Sequence, residues 1–525
     1  MSGTEQAAED ANWKPAVNPW AIALVVTLVA FMEILDTTIV NVSLPHIAGS
    51  LSASYDDATW TLTSYLVANG IVLPISGWLG RLLGRKRYFL ICIAMFTVCS
   101  FLCGMATSLA QMVIFRLMQG FFGGGLQPNQ QSIILDTFPP ARRGAAFGVT
   151  AIATIVAPVL GPTLGGWITV NYSWRWAFYI NIPIGILAVI LISRLVVDPK
   201  YIREAVAGKL DAIGLGLLAV WLGALQIILD KGQEDDWFGA IWIRWATAIL
   251  ILAFIAFLWR ELKLKKPLVD LRIMLNRNFA VGCLQIAVFG AVVYGMITIL
   301  PLFYQTLLGY TALAAGLAVA PRGIGAIFAM PIVGFLLSKF DGRKLIAIGF
   351  AGVAVANLWL GHMTLDVGQW SMFWAVAVSG FFIGFVFVPL ATLAMGALPD
   401  NQIGNASGLY NLFRNVGGSV GISIVNTIVS RHEQLHRTEL SHSFSPQNPV
   451  LQRAIDGFHG LMSQRTDPVD ALHRSYKLLE GAIDTQASLW SYIDDFRYLA
   501  LLCFATVPIA FALKKVSSRK AVAAH

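Results

Sequence analysis

PISGWLGRLLGRKR, residues 74–87, returns at residues 331–344 as PIVGFLLSKFDGRK. Both copies read Pro-Ile-x-Gly-aromatic-Leu, with Gly-Arg-Lys following at nearly the same distance. Each copy closes an apolar run, so the echo predicts two related halves whose second helices end in the same basic turn. A plainer reading is that Gly-Arg-Lys turns simply recur at cytoplasmic helix ends.

The runs on either side establish the class of protein. Of 525 residues, 57% are hydrophobic and 13% charged, and the mean hydropathy is +0.68. That composition excludes a soluble domain of this length. A membrane span needs about 20 mostly apolar residues. Fourteen such runs stand near 20–43, 58–79, 88–107, 112–135, 145–169, 175–196, 211–229, 241–259, 278–302, 312–337, 344–362, 370–393, 403–428 and 493–513. In lipid the backbone must satisfy its own hydrogen bonds, which makes these runs helices. The expected fold is an all-α integral membrane protein. A six-helix bundle (20–196) is followed by two inserted helices with cytoplasmic linkers (197–275) and a second six-helix bundle (276–513), with tails at 1–19 and 514–525. Parallel repeats of this kind build many secondary transporters, with the substrate site near the midplane between the halves.

The net charge of +8 does not imply a nucleic-acid partner, because the basic residues sit in short loops rather than on one face. Arg81, Arg85, Lys86, Arg142, Arg143, Arg260, Lys263 and Arg343 fall on one side, and only Arg175 and Lys231 in the short loops of the other. The asymmetry predicts a multi-pass protein with both termini cytoplasmic. The polar N-terminal tail lacks the pattern of a signal peptide, so the first run is read as a span. Cys92, Cys99, Cys103, Cys283 and Cys503 all lie in apolar runs, which argues against disulfides and a Cys-based metal site.

Residues 430–492 form the single long outer segment. Two readings stand: a solvated cap, or a docking site for an extracytoplasmic partner. His432, His436, His442, His459 and His473 lie in it. They are read as having no metal spacing and no nucleophile, so neither a metal site nor an enzyme is expected. No phosphate loop supports ATP use.

The ionisable residues inside the spans are few: Glu33, Asp36, Arg116, Arg322 and Arg414. A charge at that depth costs roughly 2.5 kcal/mol or more and defaults to a functional role. Glu33 and Asp36 are three apart in FMEILDTTIVNVSLP (31–45) and share a helical face, so the two cannot both ionise easily and one is expected to pick up and release a proton near neutral pH. The alternative is that Arg116, Thr37 and Thr38 simply satisfy them. Arg116 opens a polar stripe continued by Gln119, Gln127, Asn129 and Gln130. It is expected to answer Asp36. APVLGPTLGGW (157–167) gathers Pro158, Gly161, Pro162, Gly165 and Gly166, either for close helix packing or as a seam that flexes at the outer gate. NLFRNVGGSVG (411–421) repeats a buried Arg, Arg414, on a glycine-rich face. The cavity is expected to be largely apolar, lined by Phe31, Met32, Phe303 and Tyr304, with Gln119, Gln127, Asn129, Gln130, Arg322 and Arg414 as further candidates.

These motifs resemble the major facilitator superfamily, in particular its fourteen-span drug:proton antiporters. LDTTIVNVSLP resembles that group's first-span motif, FRLMQG its fourth-span motif and GPTLGG its fifth-span antiporter motif. The similarity extends through the inserted span and APRG around Arg322. It is strongest to the EmrB-type inner-membrane component of tripartite efflux pumps. The resemblance implies proton coupling by Asp36 and Arg116, with Glu33 beside them, and gate flexing by Gly161, Pro162, Gly165 and Gly166. It implies an inner-gate loop at Gly77, Arg81, Gly84, Arg85 and Lys86. Arg81 stands where the superfamily's loop normally has an Asp, which puts the usual acid-based latch in question. No cofactor is implied; the proton motive force drives export from the bacterial inner membrane. The implied partners are lipophilic, amphipathic small molecules, weak acids among them, and the lipid bilayer. A periplasmic EmrA-like adaptor and a TolC-like outer-membrane channel complete the set. A proton-coupled symporter, or an exporter of one metabolite such as a fatty or aromatic acid, stands as the alternative.

Overall fold

The computed structural model describes residues 17–198, 211–264, 267–396, 398–399, 402–442, 449–463 and 468–514. Most of tail 1–19 and of tail 514–525 lies outside these residues, as do linker residues 199–210. The first bundle comprises α1 (Pro19–Ser50), α2 (Tyr55–Leu83), α3 (Arg85–Met105), α4 (Leu109–Gly123), α5 (Leu126–Thr137), α6 (Pro140–Asn171), α7 (Trp176–Tyr179) and α8 (Asn181–Leu195). The inserted pair is α9 (Ala212–Lys231) and α10 (Ile241–Lys263). The second bundle holds α11 (Arg277–Thr306), α12 (Ala312–Lys339), α13 (Gly342–Leu360), α14 (Gln369–Met395), α15 (Ile403–His442), α16 (Pro449–Met462) and α17 (Pro468–Ala510). Among the described residues, 11 helices are long and apolar enough to cross a membrane. The three remaining runs lie on the α4–α5 pair, on α6 and on the end of α17.

The sequence echo marks a structural repeat. α2 and α12 each start on a hydroxyl cap: Ser54 Oγ accepts from the Asp57 amide at 3.0 Å, and Thr311 Oγ1 from the Ala314 amide at 3.2 Å. Such caps satisfy amides that the first turn leaves unpaired. Each helix then ends in the Gly-Arg-Lys turn that opens the next, α3 or α13. Pairing repeats as well. In the first half α1 packs on α6 and α2 on α4; in the second α11 packs on α15 and α12 on α14. Between the halves α6 packs on α12 and α2 on α15, so each half presents its second and fifth spans to the other. The inserted α9 and α10 pair with each other, and α9 leans on α2 and α15.

One expectation changes. The fourth run is not one helix: it breaks between α4 and α5, where Gly124 and Gly125 lie against other helices. A Cβ on Gly124 would stand 2.6 Å from the Asn69 carbonyl, and one on Gly125 2.7 Å from Cys92 Sγ. The described part of the outer segment is helical. α15 has 40 residues and α17 has 43, about 60 Å of helix each against a hydrocarbon core of about 30 Å. Both therefore run well beyond a bilayer as a helical hairpin.

Candidate functional site

Asp36 is fully buried on α1, so its charge has to be met inside the protein. Three side chains donate to it: Arg116 Nη1 at 2.6 Å, Gln119 Nε2 at 3.0 Å and Asn181 Nδ2 at 2.7 Å. Arg116, also fully buried, donates through Nε to the Thr61 carbonyl at 3.2 Å and through Nη1 to Gln119 Oε1 at 2.8 Å. Its guanidinium lies 4.3 Å from the centroid of the Tyr65 ring, within cation–π range. α1, α2, α4 and α8 thus meet on one ion pair.

Glu33, one turn earlier, holds a different set of donors. Tyr65 Oη donates at 3.2 Å, Asn69 Nδ2 at 3.2 Å, and Gln127 Nε2 closes the third bond. Among the described residues no hydrogen bond joins the two acids. Tyr65 stands between them, its ring against Arg116 and its hydroxyl on Glu33. Gln127 turns its other end to the second half, where its carbonyl oxygen accepts from Arg414 Nη2. A chain of bonds therefore runs from Glu33 through Gln127 to Arg414 across the seam. Asn415 Nδ2 extends the crossing to Asn69 Oδ1 at 3.4 Å.

A cavity of about 130 Å³ lies between the halves. Its walls include Glu33 and Thr38 of α1, Tyr65 of α2, Gln226 of the inserted α9, Tyr294 of α11 and Asn415 of α15. Ligand sites for drug-sized molecules run to roughly 300–1,000 Å³, so this conformation holds the space contracted. Beyond it, toward the Gly-Arg-Lys turns, the halves are sealed. A Cβ on Gly77 would stand 2.6 Å from the Gly404 carbonyl carbon and 2.7 Å from the Asn405 amide nitrogen. Nearby, Ser407 Oγ donates to Gln131 Oε1 at 2.8 Å and Asn411 Nδ2 to the same oxygen at 2.9 Å.

The expected cavity lining needs correction. Gln127 and Arg116 reach the cavity, but Phe31, Met32, Gln119, Asn129, Gln130, Phe303, Tyr304, Arg322 and Arg414 are not among its walls. Phe31 and Met32 turn into apolar clusters of the first bundle. Phe303 packs edge-on against Tyr304, Tyr492 and Phe496, because the cavity face of α11 is the one bearing Tyr294 and Thr298. Gln119 is held by Asp36, and Asn129 Nδ2 donates to the Gly125 carbonyl at 2.8 Å. Gln130 is buried. Arg322 is 2% exposed and none of its guanidinium nitrogens has a hydrogen-bond partner among the described residues.

At the sealed end the basic turn after α2 is held by acids from other segments. Arg85 pairs with Asp136 on α5. Asp198 accepts from the Lys86 amide at 2.8 Å, and Gly84 sits over it at φ +82°, where a Cβ would stand 2.9 Å from the Asp198 carboxylate. The acids come from other chain segments, and Arg81 lies in the last turn of α2.

On the fifth span, a Cβ on Gly161 would overlap the Thr38 side chain, and one on Gly165 would meet Ile39 Cα at 3.2 Å. Pro162 interrupts the same helix and Gly166 is buried beside them. Thr163 faces the second half, where a Cβ on Gly316 would stand 3.0 Å from its amide nitrogen. The motif thus lies where α1, α6 and α12 converge.

The reading of the outer histidines is also corrected. His432 and His436 are four apart on α15, and with Asp494 they form a group whose ligand atoms lie within 4.8 Å of one another.

Residues 26–422 match the Major Facilitator Superfamily. The chain is 38% identical to multidrug export protein EmrB of Escherichia coli (strain K12), across 84% of this chain and 86% of that one. It is 40% identical to fatty acid resistance protein FarB of Neisseria gonorrhoeae, across 83% and 86%. Among solved structures it shares the fold of the human organic anion transporter MFSD10 (TETRAN), with TM-score 0.58, 13% identity, and 93% and 100% of the two chains covered. On its two-half helical architecture and on these matches, the chain is a multi-pass membrane transporter that belongs to the Major Facilitator Superfamily, alongside EmrB-type exporters.

Proposed function

We propose that this protein is a proton-driven exporter of lipophilic, amphipathic small molecules, weak acids among them, from the bacterial inner membrane. Relatives named for multidrug export and for fatty acid resistance support the substrate class. The observation that carries the coupling is the wholly buried Asp36–Arg116 pair, joined through Tyr65 to a second acid that faces the cavity.

The chemistry of the cycle follows from these contacts. As a carboxylate Asp36 accepts from three donors; protonated, it gives up its charge and Arg116 loses its counter-ion. A guanidinium cannot discharge itself by losing its proton. It must then turn to another anion, and Glu33 or an acidic substrate in the adjoining cavity is within the same polar network. A proton on Glu33 likewise removes an acceptor from Gln127 and slackens the link to Arg414. Protonation is in this way tied to the fit between the halves, which alternating access requires.

With the Gly-Arg-Lys turns on the cytoplasmic side, the present conformation is sealed inward and its cavity lies on the outward side. The hairpin of α15 and α17 is the surface on which an EmrA-like periplasmic adaptor would dock, passing cargo to a TolC-like channel. Purified protein in liposomes tests the energy source. Addition of substrate should move protons in the opposite direction, and substrate flux indifferent to any imposed pH difference would overturn the proposal. Removing the outer segment should abolish adaptor binding; retained binding would reject the docking role.

A further inference from the structure

The outer segment carries HEQLH, residues 432–436, on the exposed continuation of α15. Two histidines four apart on a helix point the same way and are a recurrent zinc-binding pair. Here they converge on a third group from another helix. His432 Nδ1 lies 2.7 Å and His436 Nε2 2.9 Å from one oxygen of Asp494 on α17. Behind His436, its other ring nitrogen faces Glu439 Oε2 at 3.5 Å. A carboxylate on the far nitrogen of a ligating imidazole is the usual support of a metal-bound histidine.

We propose that His432, His436 and Asp494 form a divalent transition-metal site, suited to Zn²⁺, that staples the base of the outer hairpin. Two imidazoles and one carboxylate are a standard zinc donor set, with the fourth tetrahedral position left to water. Ligand atoms on a tetrahedral zinc stand roughly 3.3 Å apart at metal distances near 2.0 Å, so the oxygen–nitrogen distances need to open by about half an ångström. The side chains are 27%, 18% and 19% exposed, enough for an ion to enter from water. The rings are held in place by neighbours: His432 packs edge-on to Tyr498 and His436 lies by Trp490.

The sequence also matches the zinc-peptidase pattern His-Glu-x-x-His, and the structure separates the two cases. Glu433, which would serve as the base, accepts from Ser488 Oγ at 2.5 Å and is committed to the α15–α17 interface. The site is a clamp between helices, and it does not depend on the proton-coupling proposal.

The test uses tag-free, full-length protein in detergent, with ZnCl₂ and CoCl₂ as probes. Calorimetry should show one high-affinity Zn²⁺ per chain and a raised thermal midpoint. Co²⁺ should give the intense visible band of a tetrahedral site, displaced by Zn²⁺. His432→Gln and His436→Gln should each weaken binding at least 30-fold, and His473→Gln, elsewhere in the segment, should leave it unchanged. Wild-type protein lacking the stoichiometric site or the cobalt band overturns the proposal, whatever the variants' folding. So does full affinity in a well-folded His436→Gln protein.

Discussion

Gly77 offers a way to unseal the transporter with one methyl group. Its missing Cβ would stand 2.6–2.7 Å from three backbone atoms of Gly404 and Asn405, where ordinary contact begins at 3.4 Å. Backbone on a packed helix cannot step aside as a side-chain tip can, so Gly77→Ala forces α2 and α15 apart by about 0.8 Å. Overpacking of this kind costs about 1–3 kcal/mol, and the cost falls only on the conformation in which the helices touch. The equilibrium should therefore move roughly 5- to 150-fold away from the sealed state. Spin labels at Leu82→Cys and Phe340→Cys, on exposed positions (50% and 58%) beside the two repeat turns, report the separation by pulsed electron resonance. All five native cysteines are buried and contribute little background. The repeat supplies its own control: Gly334, the counterpart of Gly77, would place a Cβ 3.8 Å from Ala145, so Gly334→Ala should leave the distances alone. Identical distance distributions for Gly77→Ala and wild type would refute the reasoning.

Further expectations rest on the buried polar contacts. Asp136→Asn takes the carboxylate from a pair whose side chains are 6% and 7% exposed. It should cost about 3–5 kcal/mol of stability, read as a lower thermal midpoint, with most of it recovered when Arg85 is also made apolar. Gln127→Leu cuts the chain from Glu33 to Arg414 and should slow reconstituted transport tenfold or more in folded protein; normal turnover would make the bridge incidental. Arg322→Met replaces a buried cation that has no hydrogen-bond partner among the described residues. It should raise the thermal midpoint, and a lowered midpoint would contradict it.

Much of the fold was legible because lipid leaves few choices: apolar runs of spanning length become helices. The echo at 74–87 and 331–344 was legible for a reason the sequence could not display. Its repeated glycine marks the face that each second helix turns to the opposite half, at Gly404 for Gly77 and at Ala145 for Gly334. The Asp36–Arg116 partnership could be anticipated, since each is an expensive charge in need of the other. Asn181 and Tyr65 could not. A single polar side chain on an apolar helix has many neighbours open to it, and only packing selects one. The cavity lining failed for the same reason: aromatic residues on a hydrophobic helix satisfy a core as readily as a pocket, and rotation of α11 gives Phe303 to the core and Tyr294 to the cavity. The histidine pair was passed over because its third member, Asp494, lies 58 residues beyond His436.

The central claim is that Asp36 exchanges a proton as cargo moves. Vesicles holding either wild-type protein or Asp36→Asn, with identical substrate loads and an imposed pH difference, test it directly. The amide keeps the shape of the side chain but cannot take up a proton, so gradient-driven accumulation should vanish while substrate still binds. Full gradient-driven accumulation by Asp36→Asn would contradict the account.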